Sequence, residues 1–461
     1  MSPETPVTTP DPRPAPDAVE GARKTIVERL LSPIADIHHG EVATALLLTL
    51  LMFFILGAYY LLKTAREVFI LSQGGAEVKS YSAAGQALLL LFLVPAYGQV
   101  ASKVNRERLV TWVTVFFASN VLLFAAAYSF GLRIGIPYFL WVGIFNVMVI
   151  AQFWAFAADL MTQEQGKRIF PLIGVGSSLG AWLGSIRAGQ LVEAYGPLRL
   201  LLVAAVMLVV CVFIARVVSR RATQAESRAG VAVADKPLAG TESGFAMIRK
   251  DRYLTLIAAL TVLLNVVNTT GEYLFGRYVV EQAVALHGAG AATAAVREQF
   301  IGQAYSHLFS TVNLLGFLLQ MFVVSRLFKF LGVGRSLLVH PFVALAGYLM
   351  MLKAPSMQLM GWVKIADNSL DYSLDNTNKQ ALWLPTSREA KYKAKQAVDS
   401  FFMRIGDVAS AGLVFVGERL AFAIPVFAVV NIVLVGGWIG VVALLNSTLR
   451  RKAREAKTAQ L

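Results

Sequence analysis

The chain has 461 residues, of which 56% are hydrophobic and 15% charged, and its 42 Lys and Arg exceed its 28 Asp and Glu by 14. Soluble domains carry roughly 45–50% apolar and about 25% charged residues, so this balance excludes a largely disordered chain and an ordinary soluble globule. The single cysteine, Cys211, excludes an internal disulfide and gives no basis for a cysteine-ligated zinc site.

Residues 1–41 read as a polar tail, with six of the sixteen prolines among the first sixteen positions. No apolar stretch follows a basic start there, so the tail does not read as a signal peptide. Within it, 21–37 sets Ile26, Leu30 and Leu31 against Arg23, Lys24, Glu28 and Arg29, the pattern of a short amphipathic helix at a membrane surface.

From Val42 onward, twelve apolar runs recur, near 42–71, 81–101, 109–129, 136–158, 171–192, 198–216, 254–280, 304–325, 334–352, 357–384, 397–417 and 422–445. At 1.5 Å per residue, about twenty residues cross a hydrocarbon core about 30 Å thick. The expected fold is therefore an all-α integral membrane protein of twelve transmembrane helices. It divides into a six-helix lobe at 42–217, a cytoplasmic linker at 218–253, a second six-helix lobe at 254–445 and a basic tail at 446–461. Six plus six around a polar linker is the arithmetic of a two-lobed transporter.

With the amino terminus in the cytoplasm, 29 of the 42 cations fall in cytoplasmic segments and six on the opposite side: Lys79, Arg133, Arg199, Arg297, Lys353 and Arg419. The positive-inside rule then places both termini in the cytoplasm. The basic surplus belongs to topology, and a nucleic-acid partner loses its support.

Seven cations remain within the runs: Lys63, Arg66, Arg187, Arg277, Lys364, Lys379 and Arg404. Six acids join them: Glu67, Glu272, Asp367, Asp371, Asp375 and Asp407. An ionised group at the bilayer centre costs at least ~2.5–3.5 kcal/mol, so these groups are expected to face one another or a hydrated cavity. In the tenth run Lys364, Asp367, Asn368, Asp371, Asp375, Asn378 and Lys379 share an arc of ~120°. Spacing pairs Lys364 with Asp367 and Asp375 with Lys379. In the first run Lys63 and Glu67 stand one turn apart, which leaves Arg66 as the free cation. Asn265, Asn268, Thr269 and Glu272 make one polar face of the seventh run.

Gly176, Gly180, Gly184 and Ala188 repeat every four residues, a close-packing face. No Gly-Lys-Ser/Thr phosphate loop, no metal-ligand spacing and no serine, histidine and acid grouping is present, so the expectation is a non-enzyme without cofactor. The two halves echo each other after their fourth helices, at 158–168 and 384–393, where an acidic-then-basic turn leads into the next run.

Three stretches carry a resemblance to a known family. They are Leu62-Lys63-Thr64-Ala65-Arg66-Glu67; Phe153-Trp154-Ala155-Phe156-Ala157 with Gly166-Lys167-Arg168-Ile169-Phe170-Pro171; and Lys379 through Leu384-Pro385 to Lys391-Tyr392-Lys393-Ala394-Lys395-Gln396-Ala397-Val398-Asp399. In these the chain resembles the nucleotide transporters of the ATP/ADP translocase type, found in intracellular bacteria and plastids. The resemblance implies a major-facilitator-like fold in the bacterial inner membrane that imports or exchanges nucleotides. It places the family's functional lysine of helix one on Arg66, an acid of helix seven on Glu272 and a lysine of helix ten on Lys379. Arg66, Asn376 and Gln380 depart from the family pattern and argue against assuming strict exchange of ATP for ADP.

The candidate substrate-binding residues are thus Tyr59, Lys63, Arg66, Arg187, Asn268, Glu272, Asn376, Lys379 and Arg404, with Tyr59, Tyr60 or Trp383 available to stack on a base. Glu67, Lys364, Asp367, Asp371, Asp375 and Asp407 are the coupling or ion-pair candidates. Expected partners are a nucleotide or other small anion, the lipid bilayer, and protons as a candidate coupling ion. A proton-coupled carrier of another organic solute and a non-transporting membrane protein are the alternatives.

Overall fold

Inside a bilayer each backbone N–H and C=O must be paired within its own segment or with a neighbour, and the apolar runs meet that demand as helices. The computed structural model describes residues 41–101, 106–161, 163–226, 243–353, 356–387 and 389–458. The amphipathic stretch expected at 21–37 and residues 227–242 of the linker lie outside them.

Helix α1 (Val42–Ala101) contains the first two expected spans end to end, divided at Gly75, where φ is 80°. That left-handed backbone conformation favours glycine, and it folds the second span back beside the first. Helices α2 (Arg106–Ser129), α3 (Gly135–Asp159), α4 (Gln163–Tyr195) and α5 (Pro197–Glu226) complete the first half. A short α6 (Gly244–Lys250), capped by the Ser243 side chain, leads into α7 (Arg252–His287) and α8 (Ala294–Leu318).

There follow α9 (Val324–Ser336), α10 (Val339–Lys353), α11 (Met357–Leu370), α12 (Asn376–Leu382), α13 (Lys395–Ala397), α14 (Met403–Arg419) and α15 (Ile424–Thr458). Wide turns of π type at Leu319–Val323 and Asp371–Asp375 join α8 to α9 and α11 to α12. Among the described residues nine stretches are long and apolar enough to cross a membrane. Division of α1 at Gly75, the shorter α10 and the α11–α12 rod bring the count to the twelve expected.

In the first half α1 packs on α3, α4 and α5, and α2 on α5; in the second α7 packs on α14 and α15, and α10 on α11 and α15. The halves meet where α4 and α1 lie against α8 and where α1 lies against α7 and α14. The expected small-residue face of α4 is what lets it approach α1. A Cβ on Gly176 would lie 2.6 Å from the Thr49 carbonyl oxygen, one on Gly184 would lie 2.7 Å from that of Gly57, and one on Gly180 would collide with that of Phe53.

Overpacking of this kind costs typically 1–3 kcal/mol or more. Gly180→Val is expected to lower the melting temperature of the purified protein by several degrees. Gly436→Val, where an added Cβ meets nothing within 4 Å, should leave it unchanged.

Candidate functional site

Six of the thirteen ionisable side chains expected within the apolar runs, Arg66, Glu67, Glu272, Lys364, Asp367 and Asp375, come together, largely through partners that local spacing does not reveal. Glu67 is fully buried and accepts a hydrogen bond from Arg66 Nε at 3.0 Å. Its second oxygen lies 2.7 Å from Lys79 Nζ. The expected Lys63–Glu67 pair does not form, because the turn at Gly75 swings Lys79 onto Glu67 from the next span. Position between two apolar runs assigns Lys79 to an outer loop, yet it is 7% exposed and bridges several elements of the structure. It also donates to Glu272 Oε2 at 3.3 Å on α7 and to Tyr305 Oη at 3.1 Å on α8.

Glu272 passes the chain of charges onward. Its Oε1 accepts from Asn368 Nδ2 at 3.1 Å and lies 3.4 Å from Lys364 Nζ. Lys364 donates to Asp367 at 2.9 Å, as its i,i+3 spacing predicts, and also to the carbonyl and side-chain oxygens of Asn268. Asp367 Oδ1 stands 2.8 Å from His340 Nε2, and the opposite ring nitrogen stands 2.5 Å from Asp375 Oδ2. Eight ionisable groups, Arg66, Glu67, Lys79, Glu272, Lys364, Asp367, His340 and Asp375, therefore form one continuous line across both halves.

Asp375 is thereby taken from Lys379. The wide turn at Asp371–Asp375, in which the Asn376 N–H bonds the Asp371 carbonyl five residues back, resets the helical register. Lys379 pairs instead with Asp371, at 3.2 Å.

Lys63, rather than Arg66, is the cation left over. Among the described residues no carboxylate lies within 4 Å of its ammonium, which sits over aromatic rings: 4.2 Å from the centroid of Phe309, 5.2 Å from Tyr60 and 6.0 Å from Tyr59. Arg66 is ion-paired, and its guanidinium covers the Phe139 ring at 4.7 Å. Tyr59, offered for base stacking, already stacks on Phe145 with centroids 6.4 Å apart, and Trp383 is buried in the core.

The remaining candidates stand apart from this line. Arg187 is exposed and donates to Gln190. Arg404 pairs with Asp407 at 3.0 Å, and Asn265 donates to the same carboxylate at 2.8 Å. Asn376 is exposed.

Sequence reasoning missed Lys79 and His340. The signal for Lys79 was Gly74-Gly75 just before it, a break that turns the chain too tightly to leave Lys79 in an outer loop. For His340 the signal was two acids eight residues apart on the tenth run, with one lysine too few to answer both. A polar bridge between the halves was also unforeseen: Tyr60 Oη donates to Asn313 at 2.8 Å, Asn313 donates to Ser185 Oγ at 3.1 Å, and Ser306 donates to the Ser185 carbonyl at 2.6 Å.

Most links between the halves lie toward one end of the bundle, the end that carries the turns at Gly75, Gly131, Gly196 and Gly288. There Tyr128 Oη and Ser72 Oγ both donate to Glu298, Tyr81 meets Phe415 edge-on, and a Cβ on Gly302 would lie 2.8 Å from Val192.

Residues 22–130 match the family model described as TLC ATP/ADP transporter. ADP,ATP carrier protein 5 of Rickettsia felis is 22% identical across 82% of this chain and 87% of its own length. ADP,ATP carrier protein 4 of Rickettsia conorii is 27% identical, and that match covers 36% of this chain and 38% of the relative. The chain is thus similar to the TLC ATP/ADP transporters over residues 22–130 and, at low identity, to ADP,ATP carriers over most of its length. Among solved structures, the nucleoside transporter NupG superposes with a TM-score of 0.57 at 13% identity over 86% of this chain and 98% of that one. A bacterial homologue of the iron transporter ferroportin in an inward-facing state gives 0.58 at 14% identity over 86% and 98%. The twelve helices thus adopt a major-facilitator-like fold of two six-helix lobes.

Lys79 closes the junction between the lobes, and removing one partner from a buried ion pair typically costs 3–5 kcal/mol. Lys79→Met is therefore expected to part the lobes at this end. Spin labels on Arg133→Cys and Gly290→Cys, with the buried Cys211 left in place, should report growth of a longer-distance population by electron–electron resonance.

Proposed function

We propose that this chain carries nucleotides across the bacterial inner membrane by alternating access of its two lobes, as a transporter and not an enzyme. The observation that carries the reading is Lys63. It is a buried cation at the junction of the lobes whose ammonium sits over aromatic faces, with no carboxylate of the described residues within 4 Å. A phosphate can therefore replace the rings at the ammonium without first breaking an ion pair. Arg66, one turn on and paired with Glu67, adds positive potential beside it, and Lys379 adds a second point charge. The relatives named as ADP,ATP carriers support the same substrate class.

Lys63 also gives substrate a way to act on the fold. The ring nearest its ammonium, Phe309, belongs to the opposite lobe, and Tyr60 reaches that lobe through Asn313. A phosphate that draws Lys63 away removes one of the contacts that hold the lobes together. Binding energy is then converted into a change in the balance between conformations, as alternating access requires.

The distribution of cations puts both termini in the cytoplasm, by the positive-inside rule. The end where the lobes are joined by Lys79, Glu298 and Ser306 is then the outer one. On this reading the lobes are 42–217 and 254–445, with a cytoplasmic linker between them.

The test is nucleotide uptake into proteoliposomes, paired with ligand-induced thermal shift of the purified protein. A charge-assisted hydrogen bond contributes about 1.5–3 kcal/mol, so Lys63→Met is expected to weaken nucleotide binding roughly 10- to 100-fold. Arg187→Gln, outside the site, should leave binding unchanged. If the wild-type protein neither takes up nor is stabilised by any nucleotide, the substrate class is wrong.

A further inference from the structure

At the far end of the line of charges a histidine is held between two aspartates. His340 on α10 is fully buried, with Asp367 of α11 at one ring nitrogen and Asp375 of the following wide turn at the other. The last helix, α15, contributes the edge-on ring of Trp438, with centroids 5.0 Å apart. Beyond Asp367 lies Lys364, and on the next turns from Asp375 lie Lys379 and Asp371, already paired with each other.

A neutral imidazole donates from one nitrogen only, and the lone pair of the other would then point at a carboxylate oxygen. With both carboxylates ionised, the two short contacts are satisfied together only when each ring nitrogen carries a proton. Charge counting along the line leads to the same place. Arg66, Lys79 and Lys364 face Glu67, Glu272, Asp367 and Asp375, so the eight groups are neutral when His340 is protonated and carry a net negative charge when it is not.

We propose that the Asp367–His340–Asp375 triad is a proton-binding site whose occupancy drives the transport cycle, an inference that rests on the transport reading above. The proton adds to an imidazole nitrogen and leaves from the same N–H, and no other bond is made or broken. The coupling element is Lys364, shared between Asp367 at 2.9 Å and Glu272 at 3.4 Å.

When the triad is loaded, His340 answers the charge of Asp367, and Lys364 can neutralise Glu272. The hold of Glu272 on Lys79 in the opposite lobe then weakens. When the proton leaves, Asp367 claims Lys364, and Glu272 turns its full charge on Lys79. Proton loading thus loosens the junction between the lobes and proton release tightens it. By linkage, any ligand that favours one of these states changes proton affinity by the same factor.

The experiment uses full-length protein in liposomes containing a pH-sensitive dye, with the membrane potential clamped at zero and radiolabelled ATP as the probe. One pH unit across the membrane, acid outside, is expected to drive roughly tenfold accumulation for one proton carried per nucleotide, with acidification of the lumen. His340→Gln should keep ATP counterflow within about twofold of wild type and lose both accumulation and acidification. Full gradient-driven accumulation by His340→Gln, or wild-type exchange with no response to the gradient, overturns the proposal.

A substrate-free measurement separates this proposal from the nucleotide reading. In protein labelled with 15N-histidine, the resonance absent from His340→Gln should show both ring nitrogens protonated at neutral pH. A neutral ring there overturns the proton site whatever is transported. If His340→Gln fails to fold, Asp375→Asn takes its place in the transport assay, and selective labelling with assignment through Trp438→Phe takes its place in the spectrum. If ATP does not move at all but the doubly protonated ring is present, the substrate class fails and the proton site stands.

Discussion

Ionised groups cannot be left alone in the interior of a membrane protein. An unpartnered charge at the bilayer centre costs at least ~2.5–3.5 kcal/mol and one buried among helices costs more. This chain places thirteen ionisable groups within its apolar runs, so the pairing of the buried ones decides how the helices stand. Glu67, Lys79, Glu272 and Lys364 come from α1, the second half of α1, α7 and α11, and each link ties a different pair of spans. The lobes must therefore be in contact wherever the line of charges crosses between them. Small residues make that contact close enough, as Gly302 against Val192 and Gly189 against Ser306 show.

Hydropathy and helical period were sufficient for the architecture, because span length and polar-face alignment depend only on neighbours a few residues away. The partners of the charges were not legible in the same way. The i,i+4 rule favours Lys63 for Glu67, and it would hold on an isolated helix. Lys79 wins because the left-handed turn at Gly75 delivers a second lysine in three dimensions that is twelve residues further along the chain. The rule succeeds for Lys364 and Asp367, where an unbroken α-helix runs between them. It fails for Asp375 and Lys379, although an α-turn separates them, because His340 takes Asp375 and the wide turn at Asp371–Asp375 brings Asp371 within reach of Lys379; nothing in the residue types DYSLD announces that width.

The missed histidine follows from the same limit. His340 is uncharged in a simple count at neutral pH, and the helix around it, Val339–Lys353, is largely apolar. Only the convergence of α10 with α11 shows that its two ring nitrogens meet two carboxylates. Wide turns of the π type occur often at functional sites, and here the turn runs from Asp371, which meets Lys379, to Asp375, which meets His340. It is the point at which one polar helix face is divided into two sets of partners.

The division of labour between arginine and lysine explains how a balanced network can still move. Arg66 binds Glu67 through two nitrogens and lies flat on Phe139, a geometry fixed by the planar guanidinium, so it serves as an anchor. Lys79 and Lys364 each serve two acids at once, and an ammonium is a point charge that can favour one acid over the other with a small displacement. Neither exchange exposes an unpaired charge, because the alternative acid is already within 4 Å. Lys63 differs from both in having rings rather than acids as its resting partners. A cation over aromatic faces is stabilised by about 0.5–2 kcal/mol, less than a buried ion pair commonly demands to break. The lysine that must release its partners to accept an incoming anion is thus the one whose partners are cheapest to leave.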